Sequence, residues 1–473
     1  MTLQERRIGT FALPRVDLIA ISPLRVLLIG SLLFGLMMIV ATPPLRGPDE
    51  TPHFLRAYGI AQGDFIPATR DEQGRKGILL PPRLHAGFDY FERSWGQSKA
   101  GGYGPVFRAY FDHPPAFDPA GPPIFVAYAG SEGYSPIAYL PQAAAALIAR
   151  ALDLDFLATQ YLMRIAGLIA ITAMLAVAVR LIPALAWPLV VIAMLPAALY
   201  GRSVISADGT TLAAAAMVIA LWLQGRLNPE LRQPGRQSLW LALGALTKPP
   251  NLAFVLLELI PLRRRWRLLA LTIVPALCVA VFWTWAGGAD TAAWRMVEIT
   301  GHPSAAYDPG HRIGYLLGDP LHFPLAVVRA VSEKDLGELW RQVIGVLGLF
   351  DTVLHDWVYP TLTATLLASF VTRLPAAAAM RAQLALTAAT TIVGYAIAVY
   401  FICYLVFTPL DADSVWGVQG RYFVPILPLA AIVVAALVNW SPPPWLAAAI
   451  AIFATTLSGL ASIAVILAVD WSG

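Results

Sequence analysis

Residues 46–56 read Arg46-Gly47-Pro48-Asp49-Glu50-Thr51-Pro52-His53-Phe54-Leu55-Arg56. Two adjacent carboxylates, an imidazole and two guanidiniums thus gather where the first long apolar run stops. Ionisable groups at a bilayer boundary are costly unless solvated, paired or used. A carboxylate placed there can take a proton from an attacking hydroxyl, and a cation can hold a phosphate oxygen. The setting points to chemistry on a lipid-linked molecule, with a water-borne reactant on the other side. Asp49 is the candidate base and Glu50 its neighbour in the same role. His53 and Arg56 are candidate substrate contacts. The plainer reading of the same residues is a helix start, with Asp49 as a cap and Glu50 in the first turn, favourable to the helix dipole.

A second cluster lies near the other end of the chain, Trp416-Gly417-Val418-Gln419-Gly420-Arg421-Tyr422-Phe423. Glycines on both sides of Gln419 permit a tight turn and a close backbone approach. Arg421 and Tyr422 then follow at a helix start, where a bidentate guanidinium and free N–H groups suit a phosphate. Gln419, Arg421 and Tyr422 are therefore candidate substrate-binding residues. Lys248, in Leu246-Thr247-Lys248-Pro249-Pro250, lies inside an apolar run. It costs about 2.5–3.5 kcal/mol at mid-bilayer on insertion scales, so a partner or a phosphate is expected beside it. Arg164, Asp208 and Asp351 are further polar residues in apolar surroundings, each as readily structural. His302, His311, His322 and His355 show no metal-ligand spacing, and Cys278 and Cys403 sit in apolar runs without a disulfide or metal pattern.

These residues must be positioned by membrane helices. Of 473 residues, 58% are hydrophobic and 13% charged, with mean hydropathy +0.65; soluble domains carry about 25% charged residues. The expected fold is an all-α polytopic membrane protein forming a single transmembrane domain over 1–473. Apolar runs place about eleven spans near 22–42, 136–153, 157–180, 183–200, 206–224, 238–260, 267–286, 344–372, 383–407, 422–440 and 444–468. Arg6, Arg7, Arg15 and Arg25 precede the first run, so the N-terminus is expected in the cytoplasm with an uncleaved first span. The net charge of +4 comes from dispersed arginines, with no basic stripe for a nucleic acid.

Two hydrophilic insertions interrupt the spans, 44–134 and 287–342. Strict alternation puts both outside and places Arg263–Arg265 and Arg373–Arg381 inside. It also leaves the basic loop 225–237 outside, against the positive-inside tendency. Lys248-Pro249-Pro250 offers a remedy by folding 238–261 into a re-entrant hairpin. In the first insertion, Thr51 as N-cap, Pro52 as first helical residue and Gly63 as stop predict a short amphipathic helix along the membrane surface. The aromatics Phe88, Tyr90, Phe91, Trp95, Tyr103, Phe107, Tyr110 and Phe111 can stack on sugars, and are expected chiefly to seat this insertion on the bilayer.

The motifs themselves resemble a known family. Pro48-Asp49-Glu50-x-x-His53-Phe54-x-Arg56-Ala57-Tyr58 and Gly417-Val418-Gln419-Gly420-Arg421-Tyr422-Phe423-x-Pro425 are similar to the multi-pass membrane family of domain of unknown function 2142. Lys248-Pro249-Pro250 and Ile344-Gly345-x-x-Gly348-x-x-Asp351 resemble it too, and the likeness covers roughly 24–435. That family in turn resembles the GT-C membrane glycosyltransferases. The resemblance implies a GT-C-like bundle in a bacterial cytoplasmic membrane that moves a sugar from a polyprenyl-phosphate carrier to a cell-envelope glycan or lipid acceptor. Asp49 then becomes the base, with Glu50 in reserve, and Arg421 and Lys248 the phosphate ligands. A divalent ion held by Asp49 and Glu50 stays open. The competing readings are a transporter or flippase of lipid-linked sugars, or a polysaccharide polymerase or ligase.

Overall fold

The computed structural model describes residues 21–259, 266–288 and 290–472. The basic residues Arg6, Arg7, Arg15 and Arg263–Arg265 lie outside the described residues. Helix α1 (Pro23–Ala41) starts at Ser22, whose side chain accepts from Arg25 N, with proline at the first turn. It ends where Thr42 N bonds Met38 O and Pro43-Pro44 breaks the run. Helix α2 (Glu50–Ala61) follows after an eight-residue turn.

The rest of the first insertion wraps α2. Strand β1 (Gly77–Leu80) leads to helices α3 (Pro82–Gly101) and α4 (Tyr103–Asp112), and β2 (Ile124–Ala127) pairs antiparallel with β1. Helix α5 (Leu140–Ala151) packs along α2, and Arg150 Nη1 reaches Ala61 O at the end of α2. At 12 residues α5 is too short to cross roughly 30 Å of hydrocarbon. The expected span at 136–153 is therefore corrected: it belongs to the insertion. The aromatics form a core of their own instead of seating the loop on lipid. Phe54, Phe88, Phe91, Tyr103, Tyr110 and Phe156 are buried together, with Phe54 and Phe156 rings edge-to-face at 5.2 Å. Trp95 and Phe111 stay exposed.

Phe156 opens helix α6 (Phe156–Leu181), capped by the Asp155 side chain on Ala158 N. Next comes a broken span, α7 (Ala186–Met194) and α8 (Pro196–Ser203), bent by 68° in its crossing. Pro196 cannot continue the ladder, and the buried Arg202 donates to the freed Ala193 O and to Ala198 O. Helix α9 (Asp208–Leu227) then runs to the opposite face, where Gln224 Nε2 reaches Leu181 O.

Helix α10 (Pro234–Thr247) climbs back only as far as Lys248. A 3₁₀ stretch, Pro249–Val255, and α11 (Leu256–Leu259) return the chain, so that Glu258 pairs with Arg232 at 2.9 Å. Residues 234–259 are thus a re-entrant hairpin with Lys248 at its tip. With 136–153 out of the bundle, loop 225–237 lies on the face away from both insertions, which corrects its expected placement.

Helix α12 (Trp266–Gly287) crosses to the insertion face, where Trp283 Nε1 donates to Gly133 O. The second insertion holds α13 (Asp290–Thr300), α14 (Pro309–Gly318), α15 (His322–Glu333) and α16 (Leu336–Gly345). A hairpin of β3 (Val346–Leu347) and β4 (Thr352–Val353) precedes α17 (Val358–Phe370). Helix α17 ends on the far face, where Thr372 Oγ1 donates to Ala184 O and Arg373 N to Ser441 Oγ. Helix α18 (Ala378–Val406), the 3₁₀ turn Gly420–Ile426 with α19 (Leu427–Val438), and α20 (Pro444–Ile466) complete the bundle.

Among the described residues, seven helices are long and apolar enough to span a membrane, or eight with the bent pair as one. The chain is a mostly helical polytopic membrane protein, with two short β-ribbons among the described residues; the expected count of about eleven spans is not confirmed.

Gly420 seats the 3₁₀ turn on α16, and a Cβ there would lie 2.0 Å from Leu339 O. Gly420→Ala is expected to cost about 1–3 kcal/mol by overpacking. Thermal unfolding in detergent checks this; an unchanged midpoint would show that the turn is not seated so closely.

Candidate functional site

The site begins with a backbone choice. Asp49 holds φ 55°, ψ 26°, a left-handed conformation that Asp and Asn tolerate better than other side-chain-bearing residues. It occupies the N-cap position of α2 but makes no side-chain cap bond. The expected Thr51 cap is corrected, because the helix starts at Glu50. This turn sends the carboxylates of Asp49 and Glu50 to different partners.

Glu50 is fully buried. Its Oε1 accepts from Arg164 Nε at 2.8 Å and Ile205 N at 2.9 Å; Oε2 accepts from Arg164 Nη2 at 2.6 Å and Gly47 N at 3.0 Å. Arg164 spends its other N–H groups on Ile39 O, Thr42 O and Pro43 O. Glu50 has no acceptor capacity left for a substrate, and a metal ion shared between Asp49 and Glu50 does not fit. Arg56 is likewise consumed, donating to Tyr134 O, Asp64 O and Phe65 O at 2.7–3.1 Å. Helix α2, expected as a membrane-surface helix, is buried along nearly its whole length. An amphipathic pattern suits lipid and protein cover alike, and here the cover is protein, with Phe88 of the insertion and Phe156 of α6 packed on Phe54.

Asp49 faces two guanidiniums. Arg421 Nη2 donates to its Oδ2 and Arg295 Nη2 to its Oδ1, both at 2.7 Å. Arg421 is shared: Nη1 reaches Asp208 Oδ2 at 3.2 Å and Nε reaches Gln419 Oε1 at 2.8 Å. Its guanidinium also stands 4.8 Å from the Phe350 ring centre. Lys248, from the tip of the re-entrant hairpin, pairs with Asp208 Oδ1 and stands 4.7 Å from the Tyr422 ring centre. Two carboxylates and three cations therefore alternate across elements far apart in sequence. Pro48, Ser206, Asp208, Lys248, Arg421 and Tyr422 line a cavity of about 30 Å³, room for one or two waters.

Burial alone would raise the Asp49 carboxyl, but Arg421 and Arg295 outweigh it and hold the group well below the usual carboxylate range. His53 is buried, with Nδ1 2.5 Å from Tyr139 OH. Burial, assisted by Lys248 and Arg421, pulls its imidazole down to about 4 against the pull of Asp49 and Asp208. It is neutral at physiological pH and completes a Tyr134–His53–Tyr139 aromatic wall.

Of the sequence candidates, Asp49, Lys248, Gln419, Arg421 and Tyr422 converge, and His53 stands behind them. Glu50 and Arg56 turn away. Asp208 proves central although its sequence context marked it only as a polar residue in an apolar run. Arg295 had no signal, since it lies in a helix of the second insertion without a motif. Among the described residues, no group of three His, Cys, Asp or Glu side chains could hold a metal ion.

The chain belongs to the family described as "predicted membrane protein (DUF2142)", which matches residues 32–430. No curated protein and no solved structure matches it.

Glu50→Gln is expected to destabilise the fold by about 3–5 kcal/mol, the cost of leaving a buried partner charge uncompensated. Asp49→Asn, which keeps the left-handed turn, is expected to fold normally. Yield of monodisperse protein and thermal midpoints of the two variants check the contrast; equal stability would refute it. Acid should also unfold the protein through His53. Between its ordinary value of 6.5 and about 4, the unfolded chain binds a proton that the folded one refuses. Stability therefore falls as pH drops through that window and is level above it with respect to this group. Below about 3.8 the unfolded chain's Asp49 carboxyl also takes a proton that the folded one refuses, which adds to the fall. Melting curves from pH 7.5 to 4.5 should show the decline, shallower in His53→Gln.

Proposed function

We propose that this member of the family is a GT-C-type glycosyltransferase, moving a sugar from a polyprenyl-phosphate donor to a cell-envelope glycan or lipid acceptor. The observation that carries the reading is the single guanidinium of Arg421 bridging Asp49 and Asp208, with Lys248 on the same Asp208. It joins a cation pair suited to a phosphate with a carboxylate suited to a proton, where the membrane helices meet the insertions. Both insertions lie on that face. The opposite face presents Arg180, Arg226, Arg232, Arg236, Arg373 and Arg381 at or near helix ends. The positive-inside tendency supports a cytoplasmic placement of that face, and in this reading the site is outside and the N-terminus inside a bacterial cytoplasmic membrane.

In this reading the donor phosphate competes with the carboxylates for Arg421, Lys248 and Arg295. As it takes those cations, Asp49 is released. Its carboxylate accepts the proton of the acceptor hydroxyl while that oxygen bonds to the sugar's anomeric carbon. The bond from that carbon to the phosphate oxygen breaks, with inversion. The donor is a phosphodiester with one charge and the leaving group a monoester approaching two. Arg421 and Lys248 stand where that extra charge develops, the place at which a fixed cation favours the transition state. Glu50 acts as a positioning residue through Arg164. No protein acid is required, because the phosphate leaves without protonation, unlike a glycoside oxygen.

Asp49→Asn is expected to lower turnover by about 10²–10⁴, the range for a lost general base, with donor binding retained. Arg421→Gln is expected to weaken donor binding and turnover together. Release of sugar from a panel of polyprenyl-phosphate sugars, with and without acceptor extracts, checks both. Undiminished release by Asp49→Asn would remove it as the base.

A further inference from the structure

The first insertion carries a second concavity that the reaction site does not use. Residues 112–123 hold five prolines: Pro114, Pro115, Pro119, Pro122 and Pro123. Each fixes φ near −65°, so the loop is stiff before any ligand arrives. Asp118 tightens it further, with Oδ1 accepting from Ala120 N at 3.0 Å and its carbonyl from Gly121 N at 3.1 Å. Facing this loop is the first half of α3, held on the aromatic core through Phe88 and Phe91. Between them lies a cleft of about 590 Å³, within the range of small-ligand sites.

The lining is chemically mixed. Tyr90 has its hydroxyl committed to Val106 O at 2.7 Å and its ring fixed against Phe91 and Tyr110, both centred 5.2 Å away. It therefore presents a rigid ring, with Phe117, 42% exposed, contributed by the loop. His85, Asp89, Arg93 and Asp118 add hydrogen-bonding groups. Arg93 is paired with Asp89 at 2.7 Å, so the formal charge left over is the carboxylate of Asp118. Such a lining disfavours a phosphate or a uronic acid. Flat apolar ring faces beside carboxylates and an imidazole suit a ligand with apolar C–H faces and equatorial hydroxyls.

We infer that this cleft is a binding site for a neutral glycan, and that it holds the distal part of the acceptor. Its place supports this. Arg83 pairs with Asp153 and Arg150 reaches Ala61 O, which ties this corner to the C-terminal end of α2. Asp49 sits at the other end of that helix, about 18 Å away along its axis. A glycan of several sugars spans such a distance, so the cleft would favour an elongated acceptor over a single sugar. The acceptor role rests on the transferase reading; glycan binding does not.

The test is equilibrium binding to the full chain in nanodiscs, using neutral and N-acetylated hexasaccharides, free and lipid-linked, with a uronic-acid hexasaccharide as the anionic control. Wild type should bind a neutral hexasaccharide and not the uronic one. Phe117→Ala should weaken that binding about tenfold through the lost ring contact, and Asp118→Asn should weaken it less. Both residues are exposed, so these variants should keep the wild-type melting temperature. Asp49→Asn should bind as wild type, which separates failure of the cleft from failure of the transferase reading. Tight binding of the free form would locate recognition in the glycan, and binding of the lipid-linked form alone would add the lipid end. No neutral glycan bound in either form, or binding unchanged in both cleft variants, would overturn the inference.

Discussion

The ion pair of Glu50 with Arg164 is the interaction on which the rest depends. Both side chains are wholly buried, and every polar atom of the pair has a partner. Those partners come from the end of α1, the turn into α2, helix α6 and the segment before α9. A buried pair contributes little net stability over an apolar substitute, but breaking it is expensive. Its value here is register. With Glu50 fixed to Arg164, the start of α2 cannot rotate, and the left-handed Asp49 must point its carboxylate to the other side of the chain. Arg46 extends the clamp, holding Asp470 at the end of the chain and Asp351 in the β3–β4 hairpin, each at 3.0 Å. One short segment thereby ties the bundle's first helix to its last.

The site on the other side is close to electrical balance, and that decides its character. Asp49 and Asp208 share Arg421, while Arg295 and Lys248 bracket them from the second insertion and the re-entrant hairpin. Arg421 and Lys248 are largely buried and depend on their carboxylate partners, while Asp49 and Arg295 stay 30% and 38% exposed. The cavity is far smaller than a sugar phosphate, so a ligand must exchange contacts with these groups instead of entering an empty space. Arg295 is the most exposed of the three cations, and Asp49 is the more exposed of the two carboxylates.

Much of this was legible in the sequence, and the failures have physical causes. The paired glycines around Gln419 announced a close approach, and Gly420 packs against the backbone of α16 while Gly417 holds φ +79°. Lys248-Pro249-Pro250 announced a turn, because two prolines after a buried cation cannot prolong a helix. What could not be read was which surface covers an apolar stripe. Helix α2 has a composition that suits lipid, yet it is covered by protein, whereas the run at 136–153 buries one side, leaves Leu140, Leu147, Ile148 and Leu152 exposed, and forms a helix too short to span. Glu50 is hard to place from sequence for a related reason: a carboxylate beside a catalytic candidate looks alike whether it faces the site or its support. Arg295 was invisible because its role comes from tertiary placement, with no local pattern to betray it.

A carboxylate held so acidic would be a feeble base if its resting surroundings persisted during reaction. They need not persist. The two guanidiniums that depress Asp49 are the groups a phosphate would claim, and every contact they transfer removes stabilisation from the carboxylate anion. In the transferase reading, proton affinity at Asp49 and phosphate binding would therefore be linked through Arg421 and Arg295. Basicity would rise when a donor is bound and fall when the site is empty. The same linkage would protect a reactive group from idle protonation, because a lone hydroxyl reaching Asp49 without a donor finds its carboxylate already satisfied. The buried Glu50–Arg164 pair cannot take part in that exchange, having no exposed atom to give. The division of labour between two adjacent acids thus follows from burial, with Glu50 fixing the geometry and Asp49 left free to change partners.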